Sequence, residues 1–272
     1  MIESLVLLGR QTLRTAFEVN KRLGIEGELE VPTKKDIVLE ADVAISKAIQ
    51  ELVRENGTPS TLWTEEFGRT DFGNKREVTI AFDDIDGTYN KKDGAGILPY
   101  CSIVTIFDVP EPKYRDAVYA GIIVHNTNDL FEAIRDEGVF KNGLQLRSTS
   151  PQSLTKNSRI YVNHHETSRA TPRLMSRIGG LEARTISRDV LSSGIAFAMV
   201  AQHGVAYVGG RNKAHELGAG YLFMKETGGT ILDFNGEDIE PHPYIFDESK
   251  SMIAAVSLGI AQEILDEIRK TE

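Results

Sequence analysis

The chain has 272 residues, 40% of them hydrophobic and 26% charged, which are the proportions of a soluble globular protein long enough for one large domain or two lobes. Acidic residues outnumber basic ones, 40 to 31, and the formal charge of −9 argues against nonspecific binding to nucleic acid or an anionic membrane, so neither partner is expected. A single cysteine, Cys101, excludes an internal disulfide, and its place after Tyr100 at the head of an apolar run reads as a packed strand thiol.

Ile2, Leu5, Val6, Leu13, Ala16, Phe17 and Leu23 recur close to helical period, which predicts a helix over residues 2–23. Arg10 and Arg14 interrupt this segment, so it is not a signal peptide, and no stretch approaches the roughly 18 apolar residues of a membrane helix. A soluble, cytoplasmic protein is expected. Lys35 to Asp42 begins a second helical stretch, carried from Asp42 to Arg54 by Val43, Ile45, Ala48, Ile49, Leu52 and Val53 and ended by Asn56-Gly57. By itself Asp42 reads as an exposed acid at a helix N-terminus, favoured by the macrodipole. Val78 to Phe82 is an apolar run of strand length. Cys101 to Val109 and Ala117 to Val124 read as neighbouring strands joined by a turn at Pro110-Glu111-Pro112, and Leu130 to Ile134 and Gly138 to Phe140 continue the sheet. The turn-rich segment Ser148 to Ser158 then separates two expected lobes, residues 1–150 and 151–272. The second half offers a strand at Arg159 to Val162, a helix at Thr171 to Gly180 with Pro172 in its first turn, and an apolar helix at Gly194 to Ala201. It continues with a short strand at Val205 to Val208, a helix at Glu216 to Thr227 ended by Gly228-Gly229, a strand at Ile253 to Val256 and a last helix at Ile260 to Ile268. Helices and strands mix throughout, so the fold class is α/β with layered helices and sheets.

The densest chemistry lies at Asp83-Asp84-Ile85-Asp86-Gly87-Thr88, directly after the apolar strand. Three carboxylates within four positions repel one another unless a cation sits between them. Hard oxygen donors suit Mg²⁺, and a Gly-Thr pair opening a helix aims backbone N–H groups at an anion. A metal beside an anion site is the layout of a metal-assisted phosphatase. An Asp-rich turn is the plainer alternative for this segment, and Thr88 also suits a helix N-cap. Three further acidic segments stand at the edges of regular elements: Lys35 to Asp42, Trp63-Thr64-Glu65-Glu66-Phe67-Gly68, and Ala214-His215-Glu216-Leu217-Gly218.

Asp83 to Thr88 resembles the Asp-Pro-Ile-Asp-Gly-Thr signature of the inositol monophosphatase family of Mg²⁺-dependent phosphatases. Thr64-Glu65-Glu66 is similar to that family's Gly-Glu-Glu, the segment Gly121 to Gly143 to its hairpin region, and Glu226-Thr227-Gly228-Gly229 to its Glu-Ala-Gly-Gly. His215-Glu216-Leu217-Gly218-Ala219-Gly220 stands where the family has Trp-Asp-x-Ala-Ala-Gly. The resemblance implies a five-layer αβαβα sandwich and two or three Mg²⁺ ions, with Mn²⁺ as a substitute. It assigns Glu65, Asp83 and the Ile85 carbonyl to a first ion, Asp83, Asp86 and Glu216 to a second, and Glu65 to a weak third. Thr88 and Asp42 would orient the attacking water, while Gly87 and Thr88 would hold phosphate. Ser193 and Gly194 are candidate substrate contacts, and Lys91, with Lys92, reads either as a solvated loop or as a pair at the pocket rim that could reach a second phosphate. The chain departs from the pattern at Asp84, expected in place of proline to face solvent or else to strengthen metal binding, and at His215, expected to be a packing or surface residue. The implied function is hydrolysis of inositol-1-phosphate or fructose-1,6-bisphosphate by a homodimer. The alternatives are a 3′-phosphoadenosine-type nucleotide phosphatase and a weakly catalytic regulator on the same fold.

Overall fold

In a computed structural model of the chain, the described residues are 2–24, 28–29, 38–94, 97–147, 151–163, 184–187 and 192–270. Helix α1 (Ile2–Leu23) buries Leu5, Leu8, Leu13, Ala16 and Val19 along one side, and α2 (Glu40–Asn56) buries Ile45, Ile49 and Val53. The two pack side by side and form the outer layer against a large sheet. Between them, β1 (Glu28–Leu29) and β2 (Val38–Leu39) make a two-stranded antiparallel ribbon.

The large sheet contains β3 (Ser60–Thr64), β4 (Gly68–Phe72), β5 (Val78–Asp86), β6 (Cys101–Phe107), β7 (Ala117–Val124), β8 (Asp129–Ile134), β9 (Gly138–Lys141) and β10 (Leu144–Gln145), in the order β10-β9-β8-β7-β6-β5-β3-β4. Every residue of β5, β6 and β7 is buried, because helices cover both faces of the sheet there. That is why these strands read as continuous apolar runs instead of alternating ones. A single 3₁₀ turn at Tyr114–Asp116 leads into β7. The β3–β4 hairpin was not anticipated from sequence. It matters, because β3 runs parallel to β5 with Thr64 opposite Phe82, so the turn after Thr64 carries Glu65 to the end of β5 where the aspartates lie.

The middle layer is made by α4 (Ser193–His203) and α5 (Ala214–Glu226), each in contact with both sheets. The second sheet has five strands: β11 (Arg159–Asn163), β12 (Arg184–Ser187), β13 (Ala206–Lys213), β14 (Thr230–Asp233) and β15 (Ser249–Ala255), in the order β12-β11-β13-β15-β14. Helix α6 (Leu258–Arg269) covers its far face. The helices and sheets therefore stack as αβαβα, as expected. β13 is longer than the predicted Val205 to Val208, because it continues through Gly209-Gly210 and shifts register between Gly209 and Asn212. The helix predicted at Thr171 to Gly180 lies outside the described residues. Among the described residues, no helix is long and apolar enough to cross a membrane.

Candidate active site

Strand β5 builds the centre of the site. Successive residues of a strand point to opposite faces, and Asp83 and Asp84 do so. Asp83 faces α5, while Asp84 faces α2, where the Ser46 hydroxyl lies 2.7 and 2.8 Å from its two oxygens. The ladder to β6 pairs Asp83 with Ile103 and Asp86 with Cys101 and shifts register between them. This irregularity brings Asp86 round to join Asp83: their carboxylate oxygens and one from Glu216 all lie within 4.8 Å of one another. Gly87 then turns the chain with φ of 94°, a left-handed conformation that favours glycine, and a short helix α3 (Thr88–Asp93) follows. The helix cap is thus Gly87, not Thr88. Thr88 is the first helical residue, and its hydroxyl donates to the Ile85 carbonyl at 3.0 Å.

Asp86 is held from the second sheet's side. Its Oδ2 accepts the Gly194 N–H at 2.6 Å and the Ser192 hydroxyl at 2.9 Å, with the Cys101 thiol 3.6 Å away. Ser192 also caps α4, accepting the Ile195 N–H at 3.2 Å. Glu216 sits in the first turn of α5, where it accepts the Lys213 N–H at 3.0 Å and closes a capping box. The Lys213 ammonium reaches across and donates to Glu65. His215 Nε2 lies 3.5 Å from Asp83 Oδ2, and the ring packs on Phe246, with centroids 5.0 Å apart, while Trp63 stacks on the same Phe246 at 5.2 Å.

Burial raises the pKa values of Asp83, Asp86 and Glu216 above the ordinary carboxylate range, and repulsion from neighbouring acids pushes Asp83 and Glu216 the same way. The hydrogen bonds from Gly194 and Ser192 pull Asp86 back down. Burial opposes the charge on Lys213, but Glu65 more than offsets it and the lysine's pKa rises. Asp83 Oδ1 is buried with no hydrogen-bond partner among the described residues. An acid with one oxygen unsatisfied, inside a group of mutually repelling acids, fits a divalent cation, and the all-oxygen set Asp83, Asp86 and Glu216 fits a hard one.

Several sequence expectations need correction. Asp84 does not face solvent: it is buried, hydrogen-bonded to Ser46, and its pKa is pushed up by that burial. Asp42 is not an exposed helix-end acid but is 4% exposed, close to Asp84 and Lys91. Lys91, expected at a pocket rim, is 2% exposed, with Nζ donating to Asn20 Oδ1 of α1 at 2.6 Å and lying over the Tyr100 ring. Burial lowers its pKa to about 8. Ser193 and Gly194, expected against substrate, are buried. Gly194 holds Asp86, and the Ser193 hydroxyl donates to Asn212 Oδ1 at 3.1 Å. His215 is more than a packing residue, since it faces Asp83. Sequence reasoning missed Ser192, Ser46 and Lys213. Of these only Ser192 carried a local signal, a serine two residues ahead of an apolar helix run.

The sequence profile described as "Inositol monophosphatase family" matches residues 3–271. Among curated relatives, the Nus factor SuhB of Pasteurella multocida is 28% identical over 236 residues, spanning 86% of this chain and 83% of that protein. The fructose-1,6-bisphosphatase/inositol-1-monophosphatase of Thermotoga maritima is 26% identical, spanning 86% of each chain. Among solved structures, the SuhB protein of Bartonella henselae superposes with a TM-score of 0.78 at 18% identity, over 99% of this chain and 98% of that one. An IMPase/NADP phosphatase in complex with Mg²⁺ and phosphate superposes with a TM-score of 0.76 at 19% identity, over 98% and 96%. At such identities the structural likeness concerns the fold.

Proposed function

Because this chain belongs to the inositol monophosphatase family, and is with it a phosphoric monoester hydrolase, we propose that it releases phosphate from inositol-1-phosphate. The observation that supports this most is the convergence of Asp83, Asp86 and Glu216 at the end of β5, directly before the Gly87-Thr88 turn. Asp83, Asp86 and Glu216 would hold one Mg²⁺, and Glu65 with Asp83 and the Ile85 carbonyl would face a second divalent cation. Bound divalent cations supply charge neutralisation of the phosphate ester and a water nucleophile at neutral pH.

The chain's own groups then have separate tasks. The Thr88 hydroxyl hydrogen is committed to the Ile85 carbonyl, so Thr88 Oγ1 is left as an acceptor. It would take one hydrogen of the attacking water and turn that water's lone pair towards phosphorus. Asp42, buried close to Asp84 and Lys91, would support this arrangement from below. The N–H groups of Gly87 and Thr88 would hold phosphate oxygens. Ser192 and Gly194 would fix the Asp86 carboxylate through its Oδ2.

The inward turn of Lys91 removes the main sequence reason to expect a second phosphate, which favours a monophosphate. Fructose-1,6-bisphosphate stays in view because relatives from Pyrococcus furiosus and Thermotoga maritima carry that activity in their names. The test is a phosphate-release panel with Mg²⁺ over inositol-1-phosphate, fructose-1,6-bisphosphate, NADP and adenosine 3′,5′-bisphosphate. Inositol-1-phosphate should lead, Asp83→Asn should lose activity by orders of magnitude, and excess EDTA should abolish it. Full activity in EDTA would end the metal-dependent hydrolase proposal. Silence over the whole panel would favour a regulator instead, a role for which the His215-Glu216 pair in place of Trp-Asp is the motive.

A further inference from the structure

His215 is 3% exposed, and neither of its ring nitrogens has a hydrogen-bond partner among the described residues. That is costly for a buried polar group, and a histidine kept only for packing would be expected to satisfy at least one nitrogen. His125, also buried, does so: its Nε2 lies 2.9 Å from the Ser102 hydroxyl. His215 instead turns Nε2 towards Asp83, and its ring plane is fixed by Phe246. One nitrogen of His215 and one oxygen each from Glu65 and Asp83 lie within 4.8 Å of one another. Ligands about 2.1 Å from a common ion are separated by roughly 3–4 Å, so a contraction of about an ångström would close this group on a cation. The charges also match, since two carboxylates and a neutral imidazole balance a dication.

We propose that Glu65, Asp83 and His215 form a nitrogen-containing cation site that prefers a first-row transition ion, such as Mn²⁺, Co²⁺ or Zn²⁺, to Mg²⁺. It shares Asp83 with the all-oxygen group Asp83, Asp86 and Glu216 but differs from it in chemistry. Mg²⁺ favours oxygen donors and keeps its water, whereas imidazole suits first-row transition ions. The inference rests on the metal-dependent reading above and adds to it the choice of ion. Lys213 tempers it: its ammonium already donates to Glu65, so an ion entering here must share that carboxylate.

The test needs no turnover. The full chain is stripped with EDTA, loaded with Mn²⁺, and its electron spin-echo modulation is recorded without substrate. The parent should show ¹⁴N modulation from a coordinated imidazole, and His215→Phe and His215→Trp should lose it. By titration calorimetry the same variants should weaken Mn²⁺ binding by roughly tenfold or more while Mg²⁺ binding changes by less than about twofold. Absence of ¹⁴N modulation in the parent overturns the proposal, and that spectrum does not depend on any variant folding. Modulation that persists in a folded variant overturns it too, as does an unchanged ratio of Mn²⁺ to Mg²⁺ affinity. A nitrogen signature with no phosphate release would sink the hydrolase proposal alone, while phosphate release without the signature would remove His215 as a ligand and leave hydrolysis intact.

Discussion

Ser192 joins the fold to the chemistry, and its replacement separates two contributions. Its oxygen caps α4 through the Ile195 N–H, and its hydrogen goes to Asp86 Oδ2 at 2.9 Å. Losing a serine cap to alanine costs about 1 kcal/mol, while glycine at the same position costs only a few tenths. Losing a buried hydrogen bond to a charged group costs roughly 1.5–3 kcal/mol. Ser192→Ala should therefore lower unfolding stability by about 2.5–4 kcal/mol, and Ser192→Gly by somewhat less, because most of the glycine loss is the Asp86 contact. At about 2–4 °C per kcal/mol for a chain of this size, the alanine variant should melt roughly 5–15 °C below the parent. Urea unfolding and thermal melts, each with and without Mg²⁺, provide the measurement. The hydrogen bond favours ionised Asp86, so the difference between parent and variant should shrink as the pH falls and Asp86 takes up a proton. If Ser192→Gly unfolds within about 0.5 kcal/mol of the parent at every pH, the hydroxyl does not hold Asp86 and this account of the site is wrong.

In EDTA the pH dependence of stability has a definite sign. Burial raises the folded pKa values of Asp83, Asp84, Asp86 and Glu216 above their unfolded values, so the folded state binds protons more tightly and loses stability as pH rises through the raised range. The stripped protein should resist urea better near about pH 6 than near about pH 8, and saturating divalent ion should flatten or reverse that slope; a stripped protein more stable at the higher pH would contradict the burial of these acids. Lys91→Met should destabilise by roughly 1–3 kcal/mol, because Asn20 Oδ1 loses a buried donor, yet KM for inositol-1-phosphate and fructose-1,6-bisphosphate should move in parallel; a selective rise for the bisphosphate would return Lys91 to the pocket. A methyl group added at Gly220 would lie 2.2–2.5 Å from ring atoms of Phe197, where α5 crosses α4. Gly220→Ala should then lose roughly 1–3 kcal/mol despite alanine's better helix propensity, and a stability at or above the parent's would show that the crossing can relax.

What the sequence made legible was local. Asp83 to Thr88 could be read because an apolar strand, crowded acids and a Gly-Thr turn lie within a dozen positions, and Glu216 because it opens a helix. The strands of the large sheet were readable as apolar runs, since both faces are covered. The same double cover hid Asp84: once a strand is buried on both sides, alternation no longer tells which residues meet water, and the Ser46 hydroxyl that receives Asp84 is 38 positions upstream. Lys91 was misplaced for a similar reason. Its partner Asn20 lies 71 positions away on α1, so charge in the local sequence suggested a solvated loop. His215 neighbours Glu216 in sequence, but its direction is set by Phe246 and Asp83, which reach it from different elements.

These placements give the site a single electrostatic logic. Asp83, Asp86 and Glu216 are buried and close together, and Lys213 is a positive side chain placed among the site's acids, engaged with Glu65. Without a divalent ion the fold carries the desolvation of these carboxylates, either by holding protons on them or by tolerating their repulsion. An ion that binds the folded chain and not the unfolded one adds RT ln(1 + [L]/Kd), about 2.7 kcal/mol at a hundredfold excess over Kd. The acids that would hold the ion should therefore make the protein's stability depend on it. Asp83 belongs to both candidate groups, and so its removal should weaken that linkage for Mg²⁺ and Mn²⁺ alike. Removal of the His215 ring should weaken it for Mn²⁺ alone, which makes melting temperature against ion concentration an independent readout of how the two groups divide the work.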